Sequence, residues 1–136
     1  MFFNLLISKK YCHLVINNKD VPEPNDVYSV KKAREIKPDV IICKSTSGAE
    51  EWRPYFSVLG ATKGMRLNGT NAEDTDSGYW NNTEPTSSVF TVGTNGGTNG
   101  NGVTFIAYCF ASVKGYSKFG SYTGNGNADG TFVYTG

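Results

Sequence analysis

The residues best equipped for chemistry lie between positions 74 and 82. Tyr79-Trp80-Asn81-Asn82 follows directly on an acidic turn, Asp74-Thr-Asp76-Ser-Gly78. An aromatic ring can lie against the apolar face of a sugar, while amides and carboxylates reach its hydroxyls. Trp80, Asn81, Asn82, Asp74 and Asp76 are therefore the candidate ligand-binding residues, and Trp52-Arg53 is a lesser candidate of the same kind. The commoner role of a tryptophan is to fill a core. Burial separates the two roles: a buried Trp80 marks a scaffold, and an exposed Trp80 among polar groups marks a binder.

Catalytic equipment is sparse. Hydrolysis or acyl transfer needs a base beside a nucleophile. His13 is the single histidine, set in Tyr-Cys-His-Leu-Val, and no G-x-S-x-G occurs in the chain. A half-buried strand position is its expected role. A glycosidase needs two carboxylates facing across a bond. Glu50, Glu51, Glu73, Asp74, Asp76, Glu84 and Asp129 supply carboxylates, but at no spacing that fixes a pair. No residue is assigned a catalytic role.

A metal site has one candidate. Asn125-Gly-Asn127-Ala-Asp129-Gly130 follows the first half of a calcium loop, with alternating ligands and a turning glycine. It lacks the leading Asp, and its twelfth position is Gly136 where a glutamate is needed. Asn125, Asn127 and Asp129 are therefore expected to make a hydrogen-bonded turn, with no cofactor. Cys12, Cys43 and Cys109 are odd in number and unpatterned in spacing, so each is read as a small buried hydrophobe rather than as a disulfide or metal ligand.

The elements that must position these residues are short. Val40-Ile41-Ile42-Cys43 is a continuous apolar run of the kind a buried strand shows. Segments 54–59, 65–67, 88–92, 117–123 and 131–134 are further expected strands. The strongest is 103–111, Val-Thr-Phe-Ile-Ala-Tyr-Cys-Phe-Ala, with apolar groups on both alternating faces. That pattern predicts an interior strand, with Phe105, Tyr108 and Phe110 in the core. The Asn-Gly steps of 94–102 read as a hairpin tip. Ahead of these strands, residues 1–36 form a lead-in. Val21-Pro-Glu-Pro24 is a stiff break, Asp26 caps a short helix over 26–36, and Pro38 stops it. Lys31, Lys32 and Arg34 belong on the solvated face of that helix.

Composition agrees. Of 136 residues 16 are Gly, fourteen of them from Gly64 onward, alongside 8 Phe and 8 Tyr. This is the make-up of strands joined by tight polar turns, and it excludes a helical bundle. With 13 Lys and Arg against 12 Asp and Glu the net charge is +1, so no strong field draws nucleic acid or anionic membrane. The local balance shifts from +4 over 1–66 to −3 beyond. No apolar run approaches the ~20 residues of a membrane helix. Met-Phe-Phe-Asn-Leu-Leu-Ile before Lys9-Lys10 lacks the basic start and the length of a signal peptide. The sequons at Asn68 and Asn81 then read as turn sequence.

Several blocks carry a resemblance. They are Pro38-Asp-Val-Ile-Ile-Cys-Lys44, Leu59-Gly-Ala-Thr-Lys63 leading to Leu67-Asn68, and Tyr79-Trp-Asn81. Pro85-Thr-Ser-Ser-Val-Phe-Thr-Val-Gly93, Phe105-Ile-Ala-Tyr-Cys-Phe110 and Gly115-Tyr-Ser-Lys-Phe-Gly-Ser-Tyr-Thr-Gly-Asn-Gly126 continue them. Through these blocks residues 37–136 resemble a repeat module of marine bacteriophage virion proteins of the tail-fibre-like kind. Tyr122-Thr-Gly124 recurs as Tyr134-Thr-Gly136. In the proteins it resembles, that ending flows into an aromatic-x-Pro strand similar to Ile36-Lys-Pro38, which implies that Gly136 stands at a module junction. Residues 1–36 depart from the pattern.

The expectation is an all-β protein, an antiparallel jelly-roll-like β-sandwich over 37–136 with long Gly/Asn-rich loops, preceded by a lead-in with a short helix. Its expected function is that of a non-catalytic virion module, made in the host cytoplasm, whose partners are other virion proteins or copies of itself in a homo-oligomer. An adhesin domain holding a host-surface glycan is the alternative, and a polysaccharide-degrading tail enzyme comes third. Nucleic acid and membrane are not expected partners.

Overall fold

The computed structural model of the protein describes residues 36–135. The helix expected over 26–36 falls outside them but for Ile36, as do Cys12, His13 and the Lys31, Lys32, Arg34 cluster. The chain runs β1 (Val40–Ser45), β2 (Arg53–Phe56), β3 (Lys63–Gly64), β4 (Asp74–Thr75), α1 (Ser77–Trp80), α2 (Gly96–Asn99) and β5 (Phe105–Phe110). All pairings are antiparallel. One sheet has the order β2-β1-β5, and β3 and β4 form a two-stranded ribbon. The protein is thus β-rich, with two single-turn helices among the described residues.

β1 is the central strand, as a run without polar alternation requires. Its register sets Ile41 against Tyr55 and Cys109, and Cys43 against Arg53 and Ala107. Strand alternation sends these side chains to one face. That face carries the core, in which Ile41, Cys43, Tyr55, Ala61, Tyr79, Trp80, Phe90 and Cys109 are buried together and Val92 and Ala107 pack against them. The cover over the sheet is therefore α1, the turn at Ala61 and the stretch through Phe90 and Val92. Cys43 and Cys109 are buried thiols, and burial pushes Cys43 up to about 12.

Two carboxylates fasten the loops to this sheet. Asp39, just before β1, accepts from Ser57 Oγ at 3.0 Å and from the Ser112 amide at 2.7 Å, so it ties together the ends of β1, β2 and β5. Glu84 accepts from Tyr55 Oη at 2.5 Å, the Ala61 amide at 2.8 Å and Lys37 Nζ at 3.2 Å. Burial raises both carboxyls, yet the hydrogen bonds outweigh it and both end below their ordinary values.

Several expected elements differ. β5 covers most of 103–111 but is an edge strand, pairing with β1 alone among the described strands. Only its inner face is in the core: Cys109 is 3% exposed, while Ile106 and Tyr108 on the outer face are 36% and 40% exposed. None of Phe105, Tyr108 and Phe110 is thus a core residue: Tyr108 is exposed, and Phe105 and Phe110 are half-buried outside the core cluster. The strand over 54–59 stops at Phe56, where a turn begins, and 65–67 and 88–92 are irregular. Phe90 is buried all the same, because a loop laid on a sheet buries its apolar groups without a ladder of its own. The hairpin tip expected at 94–102 is replaced by α2, nucleated by Asn95, whose side chain accepts from the Gly97 amide at 2.9 Å. Segments 117–123 and 131–134 form no strands. A single bridge joins Val113 and Ser117, and every residue from Gly120 to Thr135 is exposed. A strand needs a ladder partner, and these segments lie against no sheet of the described chain.

Candidate functional site

The acidic turn and the aromatic pair come together in α1. Asp76 is its N-cap, the Oδ1 atom accepting from the Gly78 amide at 2.7 Å. Asn81 ends the helix in the left-handed region at φ 52°, with its amide bonded to the Ser77 carbonyl at 2.9 Å, and Asn82 follows at φ 50°. Asparagine tolerates this backbone better than most residues. Gly93 is seated on the other side of the turn, its amide 2.9 Å from the Tyr79 carbonyl. A Cβ on Gly93 would overlap the carbonyls of Ser77 and Gly78, so only glycine lets the chain pass this close.

So held, α1 turns both aromatics inward. Trp80 is 1% exposed and stands edge-on between Tyr55, 5.7 Å away between ring centroids, and Phe90, at 6.3 Å. Its Nε1 is buried with no hydrogen-bond partner among the described residues. The ring has no face for a sugar, which corrects the expectation that centred a ligand on Trp80. The cause is local: in a single turn capped by Asp76 and closed by Asn81, the last residue faces the sheet. Asn81 and Asn82 are exposed, but their place follows from backbone geometry. Trp52, by contrast, is 37% exposed.

Tyr79 leads to the polar part of the interior. Its hydroxyl accepts from Arg53 Nη1 at 3.2 Å and donates to Asp74 Oδ2 at 3.2 Å, while the Arg53 guanidinium carbon lies 4.9 Å from its ring centroid. Glu51 Oε2 bridges Arg53 Nη2 at 2.6 Å and Arg66 Nε at 3.0 Å. The run Arg66–Glu51–Arg53–Tyr79–Asp74 is balanced in charge. Burial raises the Tyr79 phenol, Arg53 opposes it and Asp74 reinforces it, and the net result is upward. The group is thus a neutral hydrogen-bonding phenol at neutral pH, with no tendency to act as a base.

Beside this run is a cleft of about 180 Å³ lined by Arg53, Met65, Arg66, Asn71, Ala72 and Asp74. Pockets for drug-sized ligands commonly hold ~300–1,000 Å³. Asp74 alone of the five expected site residues lines it. Arg53, Arg66, Asn71 and Tyr79 were not read as a group. The signal available was Arg53 in Arg-Pro-Tyr-Phe, a cation at an inward position of a strand, which demands internal partners. Four of the carboxylates considered for catalysis have other engagements: Glu51 with two arginines, Glu73 with Lys63 at 3.1 Å, Asp76 in the cap and Glu84 in its triple contact. The residues of the calcium-like turn bond to one another, Asn125 Nδ2 donating to the Gly130 carbonyl at 2.7 Å and the Asn127 amide to Asn125 Oδ1 at 3.0 Å.

Comparison with known families adds one match. A family model described as a domain of unknown function, DUF7483, matches residues 25–136. No curated protein and no solved structure matches the chain.

Proposed function

The chain belongs to the DUF7483 family, a family without an assigned role, and we propose that it is a non-catalytic structural module of a bacteriophage virion, part of a tail fibre or a decoration of the particle. It works through surface contacts with copies of itself and with neighbouring virion proteins. The observation that carries the scaffold reading is Trp80, 1% exposed between Tyr55 and Phe90. The most ligand-like aromatic of the sequence is a core residue, and the polar groups around it fasten loops to the sheet. The virion assignment draws on the resemblance of blocks such as Phe105-Ile-Ala-Tyr-Cys-Phe110 and Gly115-Tyr-Ser-Lys-Phe-Gly120. In this reading the β2-β1-β5 sheet is one layer of a jelly-roll-like sandwich, and the β3–β4 ribbon belongs to the other. The net charge of +1 fits a protein partner better than nucleic acid or membrane. Immunogold labelling of purified particles of the phage that encodes the chain tests it. Label on the particle is the expected outcome; label confined to the soluble part of the lysate would overturn it.

A second reading, an adhesin for a host-surface glycan, has the Asp74 cleft in its favour. Asn71, Arg66 and Asp74 offer donors and acceptors there, and Trp52 is the part-exposed indole. On a glycan array this reading expects binding by the parent and its loss in Asp74→Ala. Its site is then the cleft, with Trp80 acting only as support.

A further inference from the structure

The residues beyond Phe119 make an arm. Thr131 Oγ1 donates to the Thr123 carbonyl at 2.7 Å, and Asn125 closes the turn between the two legs. Lys118 Nζ lies 5.1 Å from the Tyr134 ring centroid, so the second leg returns to the root of the first. The arm is ordered by its own hydrogen bonds, yet its aromatics lie in water: Tyr122 is 71% exposed, Phe132 89% and Tyr134 69%. Single exposed apolar residues are ordinary, but a cluster of this kind marks an interaction surface.

A complementary surface lies at the arm's root. Among the described strands β5 pairs with β1 alone. Its sequence, Phe-Ile-Ala-Tyr-Cys-Phe, has none of the charges or prolines by which edge strands usually discourage pairing. Its outer face offers Ile106 and Tyr108, 36% and 40% exposed. Phe119, where the arm begins, packs on Phe110, where β5 ends, with ring centroids 6.2 Å apart. Arm and open edge are therefore neighbours on the same molecule. A twofold axis beside β5 then sets each arm on the other copy's edge, and the contact closes on itself.

We propose that the chain forms a dimer by arm exchange, in which residues 120–135 of one copy add to the β5 edge of a second copy and lay Phe132 and Tyr134 over its Ile106 and Tyr108. The inference deepens the proposed function by naming the partner as a second copy, and rests on it only for the place of assembly. The size is adequate: Phe132 and Tyr134 of two arms bring roughly 600–1,000 Å², and with the side chains they cover and the strand contacts this reaches the ~1,200–2,000 Å² of a stable interface. Main-chain pairing along the edge supplies affinity and the aromatics supply register. The exchange also accounts for the two apolar faces of β5, which becomes an interior strand in the dimer.

Two measurements test it. Sedimentation of the purified full chain should give a dimer, and Phe132→Ser with Tyr134→Ser should give a monomer with unchanged far-ultraviolet circular dichroism. In a Cys12→Ser background, Tyr108→Cys protein mixed with Phe132→Cys protein should oxidise to a disulfide-linked heterodimer, and neither alone should cross-link as fast. A parent that stays monomeric at the highest attainable concentration would overturn the exchange. So would the two substitutions combined in one chain, Tyr108→Cys with Phe132→Cys, if the disulfide closes within a monomer, since the arm would then cover its own sheet. Particle labelling is untouched by either result, so failure of the exchange and failure of the virion reading are told apart.

Discussion

Two regions of this chain use the same residue types to opposite ends. In the body, residues 36–119, aromatics such as Tyr55, Trp80 and Phe90 lie against one another, and polar side chains fasten the loops above the sheet. In the arm, residues 120–135, Tyr122, Phe132 and Tyr134 have comparable apolar area and stand in solvent. Both regions are rich in Gly, Asn and Thr turns. The difference is what lies opposite: α1 has a sheet to face, and the arm has none among the described residues. Burial here is decided by a partner surface, not by composition.

The largest expected effect breaks the body. Trp80→Ala removes the side chain that bridges Tyr55 and Phe90 and leaves a cavity under α1. A cost of about 3–5 kcal/mol is expected, as for other large-to-small core changes, and urea unfolding followed by circular dichroism measures it. Trp80→Phe should cost clearly less. It keeps an edge-on ring and deletes an Nε1 that is buried without a partner. Equal losses in the two variants would show that the indole N–H has an acceptor in solution.

Next in size is Gly93→Ala. The added methyl meets the Ser77 and Gly78 carbonyls, main-chain atoms that cannot rotate away. The expected destabilisation is about 2–3 kcal/mol, at the upper part of the range for overpacking. A substitution in the arm at Gly124, where a Cβ meets nothing within 4 Å, should leave the stability of the body unchanged. The pair of glycines compares the two regions with a single methyl group.

Part of this contrast was legible in the sequence. The run Val40–Cys43 reads as a buried strand because apolar residues at successive positions need cover on both faces, and β1 is the central strand. The two apolar faces of β5 read as an interior strand for the same reason, yet β5 is an edge among the described strands and its Ile106 and Tyr108 are exposed. An apolar pattern says what a strand could bury, not whether a neighbouring strand of the chain lies there to bury it. Asn81 and Asn82 illustrate a second limit. An amide is equally suited to a sugar hydroxyl and to a left-handed backbone, and only φ values of 52° and 50° decide between the two. Arg53 illustrates a third. Its partner Tyr79 is brought to it by α1, and the Glu51 carboxylate it holds is shared with Arg66 thirteen residues on, an arrangement that no spacing in the sequence announces.

A pH dependence sharpens the account of the body. Glu84 and Asp39 have carboxyls held below their ordinary values by the groups that bond to them. A carboxyl lowered on folding contributes stability that is complete above its unfolded value and is lost as pH falls through the folded value. For Glu84 the decline therefore begins near its ordinary 4.5 and continues to lower pH. Glu84→Gln should cost about 1 kcal/mol at neutral pH, the effect of hydrogen bonds to a charged acceptor, reduced because the side chain is 48% exposed. Its melting temperature should also fall less steeply than the parent's between neutral pH and acid. A parallel decline in both proteins would assign the acid sensitivity to other carboxyls.

The smallest expected effect on folding lies in the arm and bears most directly on what the arm is for. Asn125→Ala removes the amide that donates to the Gly130 carbonyl and accepts from the Asn127 amide. These bonds are exposed and confined to the turn, so the body should unfold within ~0.5 kcal/mol of the parent. Dimerisation should respond differently. An arm held in a hairpin by Asn125 has already lost much of its freedom before it meets the second copy, and a released arm must lose that freedom on contact. Asn125→Ala should therefore weaken the dimer several-fold in sedimentation while leaving thermal unfolding of the body in place. Asn125→Asp separates the two halves of the turn, because a carboxylate still accepts from Asn127 but cannot donate to Gly130. If it dimerises like the parent, the Asn127 contact alone holds the arm; if it behaves like the alanine variant, the bond that spans the two legs is the one that prepares the arm for its partner.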